Sequence, residues 1–211
     1  VNPELRADKL GRIWTPPVAP LNRLAADWRS PPNAAPRTVP WFDPDGAGIA
    51  ARILVLLESP GPATIRAGAR AIASEDNQDP SGRRLRELRR STALRRKDYL
   101  RWNVVPWPIA DLDGRRRRPT TDDLERARPA LGEVVALLPE LELVITVGKT
   151  ALDGWMRFLT LADGWEASTG RGELPVTLQV PHPSPANPHR RDEAAVRTEQ
   201  AFALAARIVR P

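Results

Sequence analysis

Four short stretches hold the side chains best suited to chemistry, and each follows a run of apolar residues. The first is ESPGP, where Glu58 and Ser59 precede Pro60, Gly61 and Pro62. A carboxylate ahead of a proline–glycine turn into a helix can hold a water or face a developing positive charge. The same acid can also be a cap or a salt-bridge partner. The second stretch, WNVVPWP, puts the Asn103 amide inside an apolar run. A buried amide must satisfy both its carbonyl and its NH2. It does so on neighbouring backbone, or on a planar imide edge, where it donates to one oxygen and accepts from a ring N–H. The third stretch is VGKTAL. A phosphate-binding loop of the nucleotide-triphosphatase type needs a glycine five positions before Gly148, and Leu143 stands there. No nucleoside triphosphate is expected to bind; Gly148 is expected to make a tight strand-to-helix turn, leaving Lys149 free to touch a polyanion backbone. The fourth, VPHPSPANPHRR, holds both histidines of the chain, His182 and His189. His182 can donate to a carbonyl oxygen and Ser184 can bond a phosphate, while the prolines stiffen the loop; a lone histidine is also a common structural residue.

Something must carry these stretches to one place. The runs ARILVLLE (51–58), RWNVVPW (101–107), LELVITVG (141–148) and LPVTLQVP (174–181) are short, β-branched and nearly continuous in hydrophobicity, as strands buried on both faces are. Helical patterns lie between and after them, over 63–73, 81–94, 121–138, 149–161 and 192–210. Alternating strand and helix predicts an α/β fold of three α/β/α layers around a central four-stranded parallel sheet. Ligands of such sheets sit beyond the carboxyl ends of the strands, where all four stretches fall. Ahead of this core, eight prolines between Thr15 and Pro44 exclude a long helix or a central strand. Residues 1–48 are expected to form a Pro-rich arm with one short helix around Leu21–Trp28, anchored by Trp14, Trp28, Trp41 and Phe42, on a single globular unit of residues 49–211.

The 211 residues carry a net charge of +6, and of 32 basic residues only Lys9, Lys97 and Lys149 are lysines. Arginine's planar fork suits phosphate. Between Arg83 and Arg118 there are 13 basic and 4 acidic residues, a local excess larger than that of the whole chain, which fits a polyanion partner or a solvated basic helix. The run Arg115–Arg118 is either a phosphate-contacting loop or a solvated connection, and Thr120 or Thr121 can cap the helix after it. Cysteine is absent, which excludes disulfides, cysteinyl zinc and a cysteine-ligated iron–sulfur cluster. No apolar run reaches the roughly 18 residues of a membrane span. A cytoplasmic monomer, nucleoid-associated if bacterial, with no cofactor, no metal and no membrane partner, is expected.

Taken in order, ESPG, WNVV, VGKTAL and HPSPAN resemble the uracil-DNA glycosylase superfamily over about residues 52–191. ESPG is similar to the GEAPG motif of the family 4 enzymes, and NVVPWP with RRPTTDDLE to their NVVKCRPP and RxPTxEE segments. HPSPANP is closer to the single-strand-selective monofunctional enzymes. The resemblance implies catalytic roles for Glu58, which orients the attacking water or stabilises an oxocarbenium-like sugar, and for His182, which donates to O2 of the departing base. It implies that Asn103 reads the Watson–Crick edge of an extruded uracil, with Ser59 and Gly61 beside the base. Ser184, Pro185, Ala186 and Asn187 press on the DNA, with Lys149, Arg190, Arg191, Arg116 and Arg117 near phosphates.

Three departures bear on this. Leu57 replaces the first glycine of the motif, and the missing cysteines exclude the family 4 cluster. Gly61 stands where family 1 enzymes carry a tyrosine that excludes the methyl of thymine. The superfamily also stacks an aromatic ring on the base a dozen or so residues after the motif, yet no aromatic lies between Phe42 and Tyr99; Ile72, a residue near Asn77 or a Trp from elsewhere takes that place. The histidine-bearing KRRIH segment of covalently trapping relatives is absent, so no stable DNA adduct is expected. The function implied is a monofunctional glycosylase of base excision repair, without lyase activity, that extrudes and releases uracil or another deaminated base. The alternative is a catalytically weak DNA-binding protein of the same fold that senses flipped or damaged bases.

Overall fold

Local chemistry sets the first elements. Asn2 accepts from the Glu4 backbone N–H, and Pro3 occupies the first turn of α1 (Pro3–Gly11), a position where its missing N–H costs nothing. After the TPP turn comes α2 (Ala19–Arg29), the helix expected around Leu21. The computed structural model describes residues 2–32, 35–111, 113–181 and 191–210. The short β1 (Trp41–Phe42) pairs in parallel with β3 (Ile72–Ala73), and between them lie β2 (Ile53–Leu57) and α3 (Pro62–Ala67). Next come α4 (Pro80–Ser91), β4 (Tyr99–Asn103), α5 (Thr121–Ala136), β5 (Leu143–Val147), α6 (Lys149–Thr160), α7 (Trp165–Thr169), β6 (Val176–Val180) and α8 (Arg191–Ile208).

The central sheet has the order β4-β2-β5-β6, and every neighbouring pair is parallel. This is the four-stranded α/β sheet expected from the apolar runs. Because side chains alternate across a strand, each central strand feeds two cores. Leu54, Leu56, Leu100, Trp102 and Val144 face α2, α5 and α6, whereas Ile53, Val55, Tyr99 and Ile145 face α4 and α8. Residues from the N-terminal elements complete the first core: Leu21, Ala25 and Phe42 are fully buried, and Phe42 stacks on Trp102. Trp28 packs near Trp102 as well, while Trp14 is half exposed and meets Trp41 edge-on.

The N-terminal helix is fastened by an unusual device. Lys9, wholly buried, donates to Asp43 at 2.8 Å, Asp76 at 2.6 Å and Ser74 at 2.9 Å, and lies 3.1 Å from Asp45. Arg96 reaches Asp43 and Asp76, each at 2.6 Å, from the other side. A buried charge is tolerable only when paired and hydrogen-bonded, and here three carboxylates surround Lys9 and Arg96, with Arg12 adding a 2.8 Å contact to Asp45. Beside them the buried Glu75 accepts from Arg89 and from the Tyr99 hydroxyl.

Candidate active site and nucleic-acid interface

The strand ends are built by turns that the sequence dictates locally. Gly148 joins β5 to α6 with φ of +88°, a conformation that favours glycine, and its N–H donates to the Val180 carbonyl at 2.9 Å. This is the tight turn expected there, and Lys149 opens the helix after it. At the end of β2 the chain enters Ser59-Pro60-Gly61 and then α3. A Cβ built on Gly61 meets nothing within 4 Å, and φ is −79°. Space, rather than backbone strain, distinguishes this glycine.

Parallel register brings two of the expected residues side by side. Leu57 is the partner of Asn103 across β2 and β4. The zipper continues past the strands, because Val104 N–H donates to the Leu57 carbonyl at 2.8 Å and Val105 N–H to the Glu58 carbonyl at 3.0 Å. By strand alternation Asn103 shares the face of Tyr99, toward α4 and α8. It is 9% exposed, and among the described residues its amide has no side-chain hydrogen bond. Glu58 is mostly buried, with the Arg116 guanidinium 3.7 Å from its carboxylate. The same guanidinium lies 3.4 Å from the Ser59 hydroxyl, which it reaches as a donor.

Glu58 and Arg116 open onto a cleft of about 1040 Å³ between α4, α8 and the carboxyl ends of β2, β5 and β6. Its floor is apolar, from Val55, Leu85 and Phe202, and its rim carries Arg84, Arg116, Arg118, Lys149 and Arg197 against Glu58 and Glu193. An apolar floor with a few convergent polar groups is the usual build of a small-molecule pocket; a basic rim concentrates anions around it. Among the described residues no group of three or more His, Cys, Asp or Glu side chains is placed to hold a metal ion.

The expected site residues are thus distributed unevenly. Glu58, Arg116 and Lys149 line the cleft, Ser59 touches Arg116, and Asn103 adjoins them through register. Ile72 is buried in the β1–β3 pair and does not line the cleft; its carbonyl accepts from the Asn77 amide at 2.9 Å. Arg117 turns the other way and binds Asp123. The Arg117 hydrogen bond holds the Asp123 carboxyl well below the usual carboxylate range, against the opposing effect of burial. His182, Ser184, Pro185, Ala186, Asn187 and Arg190 lie outside the described residues, as does the side chain of Arg191. Arg84, Arg118 and Arg197 also line the cleft; Arg118 belongs to the run expected as a phosphate-contacting loop or a solvated connection, whereas the sequence did not single out Arg84 and Arg197. Arg84 sits inside the basic segment from Arg83 to Arg118; Arg197 carries no signal beyond its place on an amphipathic helix.

The parallel α/β/α sandwich thus carries an acid that lines a basic-rimmed cleft and, at the adjacent strand end, a buried amide. The chain belongs to the Uracil DNA glycosylase superfamily, whose family model matches residues 2–207. No curated protein matches it. Membership assigns it in general to the DNA glycosylases, which bind DNA and hydrolyse the bond between a base and its sugar in DNA repair. With no cysteine in the chain, it has no iron–sulfur cluster of the cysteine-ligated kind.

Proposed function

We propose that the protein is a monofunctional uracil-DNA glycosylase that acts as a monomer in base excision repair, with residues 49–211 as the catalytic unit and residues 1–48 as an arm upon it. The observation that carries this reading is the pairing of Leu57 with Asn103, which sets the Glu58 carboxylate and the Asn103 amide at neighbouring strand ends. An enzyme of this kind must take the base out of the stack before it can act. The extruded uracil enters the cleft, and Asn103 donates to one ring oxygen and accepts from the ring N–H. Bond cleavage leaves positive charge on the sugar and negative charge on the base. Glu58 faces the first, orienting the attacking water, and His182 donates to O2 to stabilise the second. Groups fixed in place before charge develops lower the barrier without reorganising. The basic rim, with Lys149 and Arg116, holds the flanking phosphates. No amine nucleophile is needed, so no lyase step follows.

A second reading, a catalytically weak sensor of flipped or damaged bases, is favoured by one observation: Ile72 is buried away from the cleft and no aromatic lies between Phe42 and Tyr99 to stack on a base. The two are separated by alkali-revealed cleavage of a labelled oligonucleotide with one uracil, single- and double-stranded, beside hypoxanthine and thymine-mismatch controls. Abasic sites that vanish in His182→Ala support the glycosylase and define its base; intact but tightly bound DNA supports the sensor.

A further inference from the structure

The segment that follows β4 separates two depressions. Ala110 and Arg116 form an antiparallel bridge across a turn at Asp111–Gly114, so consecutive residues of the returning limb point to opposite sides. Arg116 faces Glu58 in the main cleft, whereas Arg117 faces a second depression of about 470 Å³. Arg37, Trp107 and Arg126 line that second depression with Arg117 and Asp123. Nothing in the reaction at Glu58 uses it.

Its charges are not equivalent. Asp123 is committed: it accepts from the Thr120 backbone N–H at 2.8 Å and the Thr120 hydroxyl at 2.9 Å, and it binds Arg117. Arg126 donates its Nε to the Asp122 carbonyl at 3.2 Å and meets a carboxylate only at 3.4 Å, on the already committed Asp123; its side chain is 70% exposed. The Arg37 guanidinium carbon lies 4.5 Å from the centroid of the half-buried Trp107 ring. Among the described residues Arg37 pairs with no carboxylate. An indole ring flanked by two cations without full partners is the combination that binds unpaired nucleotides, through ring stacking and phosphate contact.

We propose that this depression is a second nucleotide subsite, which takes an unpaired nucleotide of the same DNA strand, next to the one in the main cleft. Its base lies against Trp107 and its phosphate between Arg37 and Arg126. The inference rests on the reading that the chain binds DNA, and not on whether it excises uracil. The segment between the depressions separates the two nucleotides, which a stacked duplex does not allow. The subsite therefore selects single-stranded or locally opened DNA.

The test is equilibrium binding of uracil-free oligonucleotides, by fluorescence anisotropy on the full chain. Trp107→Ala is expected to weaken a single-stranded oligonucleotide about 10-fold and a duplex of the same sequence less than about 2-fold, with Trp107→Phe restoring most of the loss. Arg37→Gln with Arg126→Gln, which leaves the indole and its packing in place, is expected to reduce the salt slope of single-strand binding by about 0.7, the share of one phosphate. Single-strand binding unchanged in the double arginine variant, or a loss equal on single strand and duplex, overturns the subsite. Failure of the wild type to release uracil, with these binding losses intact, removes the glycosylase reading and leaves the subsite standing.

Discussion

The Arg116 guanidinium lies 3.7 Å from the Glu58 carboxylate, so in the free protein the acid at the end of β2 is paired with a residue of the arginine-rich loop. Phosphate competes for that guanidinium, and DNA binding is expected to release Glu58 toward the sugar. Glu58→Gln should lower single-turnover excision of uracil by about 10²- to 10⁴-fold, with DNA affinity retained. Arg116→Ala should do the reverse: kcat is largely kept, KM rises, and the salt dependence of binding flattens by about one phosphate contact.

Asn103 is placed by register, and its value lies in its two-sided hydrogen bonding. Asn103→Asp replaces the NH2 donor with a second acceptor in nearly the same volume. Single-turnover excision is expected to fall about 100-fold, in the range of losing one preorganised donor, while the melting temperature changes little. A loss of stability that matches the loss of rate would instead mark the amide as structural.

Gly154 in α6 touches the strand end from below. A Cβ there would meet Val104 Cγ2 at 2.3 Å and Leu124 Cδ2 at 3.1 Å, and Val104 follows Asn103 directly. Gly154→Ala should cost about 1–3 kcal/mol by overpacking. Because the strain is relieved by moving Val104, excision should fall further than stability alone explains, and the two effects are read by thermal melting and single-turnover kinetics on the same sample.

Gly61 offers the opposite case, since a side chain there meets open space. Gly61→Tyr is expected to leave the melting temperature unchanged and to raise the ratio of uracil to thymine-mismatch excision, by closing the room that a 5-methyl group needs. Competition between the two substrates in one reaction measures the ratio.

Acid should unfold the protein through its carboxylates. Burial alone pushes the Asp76 carboxyl up, but hydrogen bonds from Arg96 and Lys9 outweigh it and hold Asp76 below the usual range. Asp45 is likewise lowered by Arg12 and Lys9 against its own burial. A carboxyl with a depressed folded-state pKa contributes stability above its unfolded value near about 4 and loses it as pH falls. The melting temperature should drop steeply below about pH 5, and Asp76→Asn should lower it at neutral pH while flattening that slope. Lys9→Met, which removes one cation from three carboxylates, should cost about 3–5 kcal/mol.

The layered sheet was legible because buried parallel strands announce themselves as continuous β-branched runs, and 53–57, 143–147 and 176–180 fell within the expected limits, although the last is an edge strand with Val176 half exposed rather than one buried on both faces. The strand expected over 101–107 starts two residues earlier and ends four residues earlier, at Tyr99–Asn103. Val104 and Val105 continue its hydrophobic run, but their N–H groups bond to the last residue of β2, Leu57, and to Glu58 just past it. The helix α1 escaped notice for a different reason: its single fully buried side chain is a lysine, and hydrophobic periodicity is blind to an ion pair. Likewise a run of four arginines does not reveal that Arg116 meets Glu58 while Arg117 meets Asp123; only the Ala110–Arg116 bridge sorts them. Ile72 is apolar in any position, and its pairing with Trp41 depends on a contact 31 residues distant in the chain.

The buried Lys9 has a consequence for the order of events at the ribosome. Its ammonium is synthesised before Asp43, Asp45, Ser74 and Asp76, and it cannot leave water until all of them have emerged and come together. The helix α1, although synthesised ahead of the sheet, is therefore among the last elements to dock. Until it does, those acids face one another with Arg96 among them and Arg86 4.0 Å from Asp76, so nascent chains should remain open to proteolysis at this helix after the sheet has formed.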